Sequence, residues 1–282
     1  MYFVRVVALT SLAMIAFAGN SLLCRFALRQ TSIDPASFTT VRLVSGAITL
    51  WLVVRFSSSS STGVGTWRSA MALFGYAAGF SFAYESLTAA TGALLLFGAV
   101  QATMIGYAFC RGDKPAGPQM FGVGLALAGL AGLLLPGLAA PPLNGTLLML
   151  GSGVAWGIYS LRGKGAGDAI RVTSGNFLRA AAIAIALSAL TLEHASVDVA
   201  GIACAIASGA LASGIGYAIW YTALPSLGST TAATVQLSVP MIAAVGGVLL
   251  LGEHMTLRLA LASVAILGGI AMVTLTRHGS NG

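Results

Sequence analysis

The chain has 282 residues, 57% of them hydrophobic and only 7% charged, with a mean hydropathy of +0.91. Soluble globular chains carry roughly 25% charged residues, and a water-soluble fold of this length could not hide so much apolar surface, so the composition calls for a bilayer as solvent. The formal charge of +7 is scattered singly over loops, with no basic patch interleaved with aromatics; it reports membrane orientation and argues against a nucleic-acid partner.

Apolar stretches of spanning length run over Val6–Leu23, Ala36–Val54, Ala70–Leu87, Ala93–Cys110, Phe121–Leu138, Gly145–Leu161, Thr173–Leu192, Ala200–Tyr221, Thr230–Leu251 and Leu257–Leu275. Lipid leaves no partner for an unpaired backbone amide, and the alternation of a barrel strand is absent, so these ten are expected to be transmembrane helices of an all-α fold. The first begins with Arg5, an apolar run and Ala16-Phe17-Ala18, the outline of a cleavable signal. The repeat described below uses this segment as structure, so retention is expected. The Ser/Gly run Ser57–Gly65, between the second and third spans, is expected to be a flexible loop. With the N-terminus inside, Arg5, Arg55, Arg68, Arg111, Lys114, Arg162, Lys164, Arg171 and Arg277 face the cytoplasm, whereas Arg25, Arg29 and Arg258 lie outside. That bias puts both termini in the cytoplasm. Cys24, Cys110 and Cys204 lie in apolar segments without metal-ligand spacing and read as small core residues. No metal and no cofactor is implied.

Self-comparison shows a duplication. Arg25 and Arg162, Arg42 and Arg179, Gly79 and Gly216, Tyr84 and Tyr221, and Leu87 and Leu224 are each 137 residues apart. Ala47-Ile48-x-Leu50 matches Ala184-Ile185-x-Leu187 at the same offset. Beyond the fourth span the offset is 140, pairing Gly112-Asp113 with Gly252-Glu253 and Gly129 with Gly269. Apolar matches alone would mean little; arginine, tyrosine and acid pairs in one order mean more. Five spans per half is an odd number, so residues 1–138 and 145–276 form inverted repeats. Such repeats place a solute site near the midplane between them and let it open alternately to each side.

Gly216-Tyr217-Ala218-Ile219-Trp220-Tyr221-Thr222-Ala223-Leu224, then Ala232-Ala233, Gln236-Leu237-Ser238-Val239-Pro240 and Leu250-Leu251-Gly252-Glu253 resemble the second EamA domain of the drug/metabolite transporter superfamily. Trp156-Gly157-x-Tyr159 resembles the opening of that domain, and the first half is a weaker copy, with Gln101 near the expected proline and Gly112-Asp113 in place of Gly-Glu. The Trp/Tyr-rich eighth span is similar to that of YddG-type amino-acid exporters. The resemblance implies a basket-like cavity in a bacterial inner membrane and export of small metabolites, amino acids with aromatic or other apolar side chains foremost, by a chain that works as a monomer. It also implies that Asp113 and Glu253 cap helix ends.

Asn20, Tyr76, Tyr84, Gln101, Trp156, Tyr159, Tyr217, Trp220, Tyr221 and Gln236 sit in spans that the resemblance places around this cavity. Aromatic faces can hold an apolar side chain while amides and hydroxyls orient a polar head; the alternative for some is a lipid-facing belt. Glu85, the one acid inside an expected span, is the obvious proton carrier if transport is coupled, and otherwise an interfacial group. Arg42 and Arg179 lie within spans, where they either snorkel or serve as a carboxylate contact or gate; symmetry implies that the two make similar packing contacts. Pro240 is expected to kink its helix. Gly75-x3-Gly79 is a weak close-packing motif.

Two other functional classes fit poorly. Gly165-Ala166-Gly167-Asp168 matches the GxGD string of intramembrane aspartyl proteases, but a second intramembrane Asp is missing and His194, His254 and His278 all lie at span ends. A pore should show a charged ring or a repeated filter sequence, and neither is present. No nucleotide motif occurs, so an ion gradient or the solute's own gradient must drive any transport.

Overall fold

A computed structural model describes residues 2–57, 63–112, 117–135, 137, 140–163, 167–227 and 229–276, the side chains of 229, 230, 233 and 276 excepted. The chain is helical throughout the spanning segments and, among the described residues, forms no strand. Ten helices follow in order: α1 Tyr2–Gln30, α2 Pro35–Phe56, α3 Trp67–Tyr84, α4 Ala89–Cys110, α5 Gly117–Leu134, α6 Leu143–Gly163, α7 Ala169–Leu190, α8 Val199–Ser226, α9 in two pieces (Ser229–Gln236 and Ser238–Leu251) and α10 Leu257–Thr276.

Helix starts are written in the sequence. Asp34 accepts from the amides of Ala36 and Ser37 with Pro35 in the first turn of α2, and Asp168 caps α7 in the same way. Thr66, Thr88 and Asp198 cap α3, α4 and α8; each oxygen satisfies an amide that the helix cannot. Ends obey the duplication. Gly112 after α4 and Gly252 after α9 have φ of 96° and 65°. Both are left-handed, a conformation glycine adopts without steric cost. Some limits differ from expectation: α1 extends through Arg25 and Arg29, α8 runs to Ser226, and α3 stops at Tyr84, leaving Glu85 outside.

Packing carries the symmetry further. Exchanging the halves maps α1 to α6, α2 to α7, α3 to α8, α4 to α9 and α5 to α10. The observed pairs α3–α6 and α1–α8 exchange under this operation, as do α4–α6 with α1–α9, and α2–α8 with α3–α7; α2–α7, α4–α9 and α5–α10 map onto themselves. Residues at α5–α10 show why small side chains are needed: a Cβ on Gly122 or Gly269 would collide with the other's carbonyl oxygen. Among the described residues eight helices are long and apolar enough to cross a membrane by composition alone. α3 and α6 are less apolar, and they pack against each other, with Ser152 Oγ donating to the Tyr76 carbonyl at 2.8 Å.

The ends of the bundle can be told apart. Tyr2 and Ser226 share a hydrogen bond of 2.7 Å, which puts the start of α1 beside the end of α8. Asp34 accepts from the Ser196 amide at 3.0 Å, joining the α1–α2 and α7–α8 connections at the opposite, far end.

α8 and α9 depart from regular helix. Residues Ala207–Ile215 of α8 are wound as a π-helix where Gly209 lies against the Arg42 backbone; wider turns of this kind are often found at functional sites. In α9 the break falls at Leu237. Pro240 has no N–H for the Gln236 carbonyl, so the regular ladder cannot continue there.

Candidate functional site

Between the halves lies a cavity of about 540 Å³, walled by α1, α3, α4, α6, α7, α8 and α9. Solute-sized sites fall in the range of about 300–1,000 Å³. Stacked rings form one wall. Trp156 stacks on Tyr159 at 5.3 Å and on Tyr217 at 5.4 Å between centroids, Tyr217 continues to Tyr221 at 6.1 Å, and Tyr76 meets Trp156 at 4.7 Å. Phe17 closes the row against Tyr217 and Trp220. Amides and hydroxyls are set among them: Asn20, Gln101, Thr173, Asn176, Ser213 and Gln236 line the same space. Asn176 is held by the Thr66 amide at 2.8 Å on its Oδ1 and reaches the Tyr159 hydroxyl at 3.4 Å with its Nδ2. Among the described residues, no Asp, Glu, Lys or Arg lines it.

The cavity runs out toward the N-terminal end, past Ser160, Gly163, Gly167 and Leu224. The far end is tied shut. Arg25 Nε meets Glu253 Oε1 at 3.0 Å, its Nη1 donates to the carbonyls of Tyr84 and Glu85, and Glu253 Oε2 accepts from the Ala89 amide at 2.8 Å. One clasp thus joins α1, the α3–α4 turn and the end of α9. Glu253 therefore serves the start of α4 rather than its own helix. Asp113, its repeat mate, lies outside the described residues.

Nine of the expected solute contacts line the cavity: Asn20, Tyr76, Gln101, Trp156, Tyr159, Tyr217, Trp220, Tyr221 and Gln236. Two do not. Tyr84 is fully buried under the far-end clasp, its ring against Gly92 and its hydroxyl donating to the Ala89 carbonyl at 3.3 Å. Glu85 is exposed at the C-terminal end of α3 and is not among the residues that line the cavity. Its carboxyl is raised above its ordinary range by partial desolvation and then by the nearby charge of Asp34. The residues that sequence reasoning passed over are Phe17, Phe80, Thr173, Asn176 and Ser213. Asn176, a polar side chain in the middle of a span, was the signal available for one of them.

Repeat mates have unlike surroundings. Arg42 is 1% exposed, donates to the Tyr76 hydroxyl at 2.8 Å, and lies over the Tyr76 and Phe80 rings. Arg179 is half-buried and reaches the Val64 and Gly175 carbonyls at 2.8 Å, above the Trp67 ring. The expectation of similar packing contacts is therefore incorrect. A charge at the depth of Arg42 costs about 2.5–3.5 kcal/mol on insertion scales, offset in part by ring faces worth about 2 kcal/mol when desolvated. Arg25 is clasped while Arg162 is exposed, and Tyr84 is sealed while Tyr221 lines the cavity. The difference follows from one end being shut and the other open. Of the cysteines, Cys24 is buried but Cys110 is exposed at the end of α4, contrary to its reading as a core residue. The GxGD string lies partly outside the described residues, and its Asp168 caps α7.

A solute-sized cavity between two five-helix halves, open at one end, is the arrangement expected of a membrane transporter. The chain belongs to the EamA-like transporter family, whose model matches residues 143–275. An uncharacterized protein of Pseudomonas aeruginosa, PA1977, is 54% identical over 98% of this chain and 96% of its own length. The threonine/homoserine exporter RhtA of Escherichia coli K12 is 38% identical over 141 residues, 48% of this chain and 46% of RhtA, and that of Salmonella typhimurium SL1344 is 35% identical over 161 residues, 54% of this chain and 53% of its own. A solved structure superposes with a TM-score of 0.65 over 96% of this chain and 98% of its own at 20% identity, which speaks to the fold alone.

Proposed function

We propose that the protein exports small metabolites, amino acids with aromatic or other apolar side chains foremost, from the cytoplasm by alternating access, with the repeats of residues 1–138 and 145–276 moving against each other about the cavity. The observation that carries this is the neutral wall of stacked rings and amides, open at one end and clasped by Arg25 and Glu253 at the other. Ring faces suit an apolar side chain, and the amides of Gln101 and Gln236, which make no hydrogen bond among the described residues, suit a polar head. The basic bias of the loops supports an open end that faces the cytoplasm, and the bacterial relatives support an inner-membrane location. The relatives named as threonine/homoserine exporters support amino acids as the cargo class, and membership of a transporter family supports a role without chemical catalysis.

The test is efflux from proteoliposomes loaded with phenylalanine, leucine, threonine or homoserine, with and without a pH gradient. Saturable efflux of at least one is expected. Its absence for all four sinks the amino-acid reading, and efflux that never saturates points to a pore.

A further inference from the structure

We propose that Arg42 gives the cavity a preference for solutes that carry a carboxylate, acting through the Tyr76 hydroxyl as the group that touches the solute. The proposal deepens the transport reading above and rests on it only in taking the cavity as the binding site. Arg42 lies on α2 directly behind the cavity wall. Its Nη2 donates to the Tyr76 hydroxyl at 2.8 Å, and its guanidinium lies 5.2 Å and 4.8 Å from the centroids of the Tyr76 and Phe80 rings, both of which line the cavity. From α1, Asn20 Nδ2 donates to the same hydroxyl at 3.2 Å. The orientation of the Asn20 amide is fixed by Ser208, whose Oγ donates to Asn20 Oδ1 at 2.6 Å.

A hydroxyl oxygen accepts two hydrogen bonds and donates one. Both acceptor positions of Tyr76 are taken by groups that donate, one of them a cation. The phenol proton is left to donate, and no described residue accepts it. Tyr76 lines the cavity, so that proton is available to an acceptor atom of a bound solute. A donor whose own oxygen is held by a cation is strengthened, most of all toward an ionised acceptor.

The charge balance points the same way. The ion pair among the described residues is Arg25–Glu253, and the cavity lining holds no carboxylate, so nothing there neutralises Arg42. Its Nε and Nη1 are buried without a hydrogen-bond partner. An anionic oxygen near Tyr76 answers both the free proton and the uncompensated charge. An organic cation would face a like charge through a medium of low dielectric, and a carboxamide is a weaker acceptor. Arg42 is thus a positioning residue and Tyr76 the contact.

Equilibrium binding by the full chain in detergent tests this, read from tryptophan fluorescence because Trp156 lies 4.7 Å from Tyr76. The probes are two matched pairs, 3-phenylpropionate with its amide and L-phenylalanine with its amide. The wild type is expected to bind each acid about tenfold or more tightly than its amide, the usual gain from a hydrogen bond to a charged group. Tyr76→Phe keeps the ring and removes the donor, and should bring the acid-to-amide ratio close to one by weakening the acid alone. Arg42→Lys, which keeps charge and a donor, should retain part of the ratio. Equal affinity of the wild type for acid and amide overturns the proposal, as does failure to bind either acid at tens of millimolar. So does a Tyr76→Phe protein that weakens acid and amide alike. Acid-selective binding without efflux would remove the transport reading and leave this one standing; efflux without acid preference would do the reverse.

Discussion

Asp34 and Glu85 lie at the far end, outside the spans, and their carboxyls are shifted in opposite directions. Partial burial raises Asp34, but hydrogen bonds from Ser37, Ser196 and Ala36 outweigh it and hold the group below its ordinary value. A lowered folded-state value means that the carboxylate stabilises the fold above the ordinary carboxyl range, and that this is lost as pH falls through the folded value. Asp34→Ala should cost about 1 kcal/mol at pH 7, as removal of an N-cap does. Melting in detergent checks it: the gap to wild type should narrow as the pH is lowered toward 3, and an unchanged gap would show that the carboxylate charge contributes nothing. Glu85 is raised yet exposed, and it makes no contact with the cavity. Glu85→Gln should leave both solute flux and its response to a pH gradient within about twofold of wild type, as a surface substitution does. Loss of the pH response with flux retained would make Glu85 the coupling acid after all. At this scale the sequence was a good guide within the spans, where nine of eleven expected contacts line the cavity, and a poor one at the far end of α3, where Tyr84 and Glu85 lie. Gln101 and Gln236 could be picked out because an amide in a span needs a reason, whereas Glu85 left the span when α3 ended one residue before it.

Helix contacts decide which glycines matter. Gly268 and Gly269 are neighbours in α10, yet a Cβ on Gly268 meets nothing within 4 Å while one on Gly269 would strike Gly122 and Ala126 of α5. Gly268→Ala should be neutral or stabilise by about 0.5–1 kcal/mol, since alanine loses less backbone entropy in a helix. Gly269→Ala should cost about 1–3 kcal/mol through overpacking. Melting of the two proteins side by side distinguishes them, and equal midpoints would mean that α5 and α10 are not in this contact. The sequence offered 36 glycines and no means of ranking them. Gly75-x3-Gly79, the pattern it did offer, is only half a contact: Gly79 lies close to Leu148 and Ser152, but Gly75 has ordinary spacing to Ala155.

Across the whole molecule, the alternating-access proposal requires a second conformation in which the unlike surroundings of matched residues are exchanged. The principal helix pairs exchange onto one another, so the two end states can be close in energy, and a few kcal/mol of differential solute binding can shift the balance. Single cysteines at Tyr84 and Tyr221 report this. In the conformation described, a water-soluble thiol reagent should reach position 221 and spare position 84. Adding Glu253→Gln, which removes the charge that Arg25 and the Ala89 amide hold, should raise labelling at 84 and lower it at 221, by about tenfold for each 1.4 kcal/mol of shift. Simultaneous labelling of both positions in folded protein would mean a continuous pore. What the sequence by itself determined was the solvent, the ten spans and the inverted duplication. Each follows from local composition or from comparison of the chain with itself, and lipid forces any long apolar segment into a helix. Only the tertiary structure decided that Arg25 is clasped and Arg162 exposed, that Arg42 is buried behind Tyr76 while Arg179 reaches the Val64 and Gly175 carbonyls, and that Tyr84 is sealed while Tyr221 lines the cavity. The duplication gives matched residues equivalent places in the two halves, and equivalence alone cannot say which of the two is buried. Their difference arises from the way two equivalent halves lean on each other, closed at one end and open at the other.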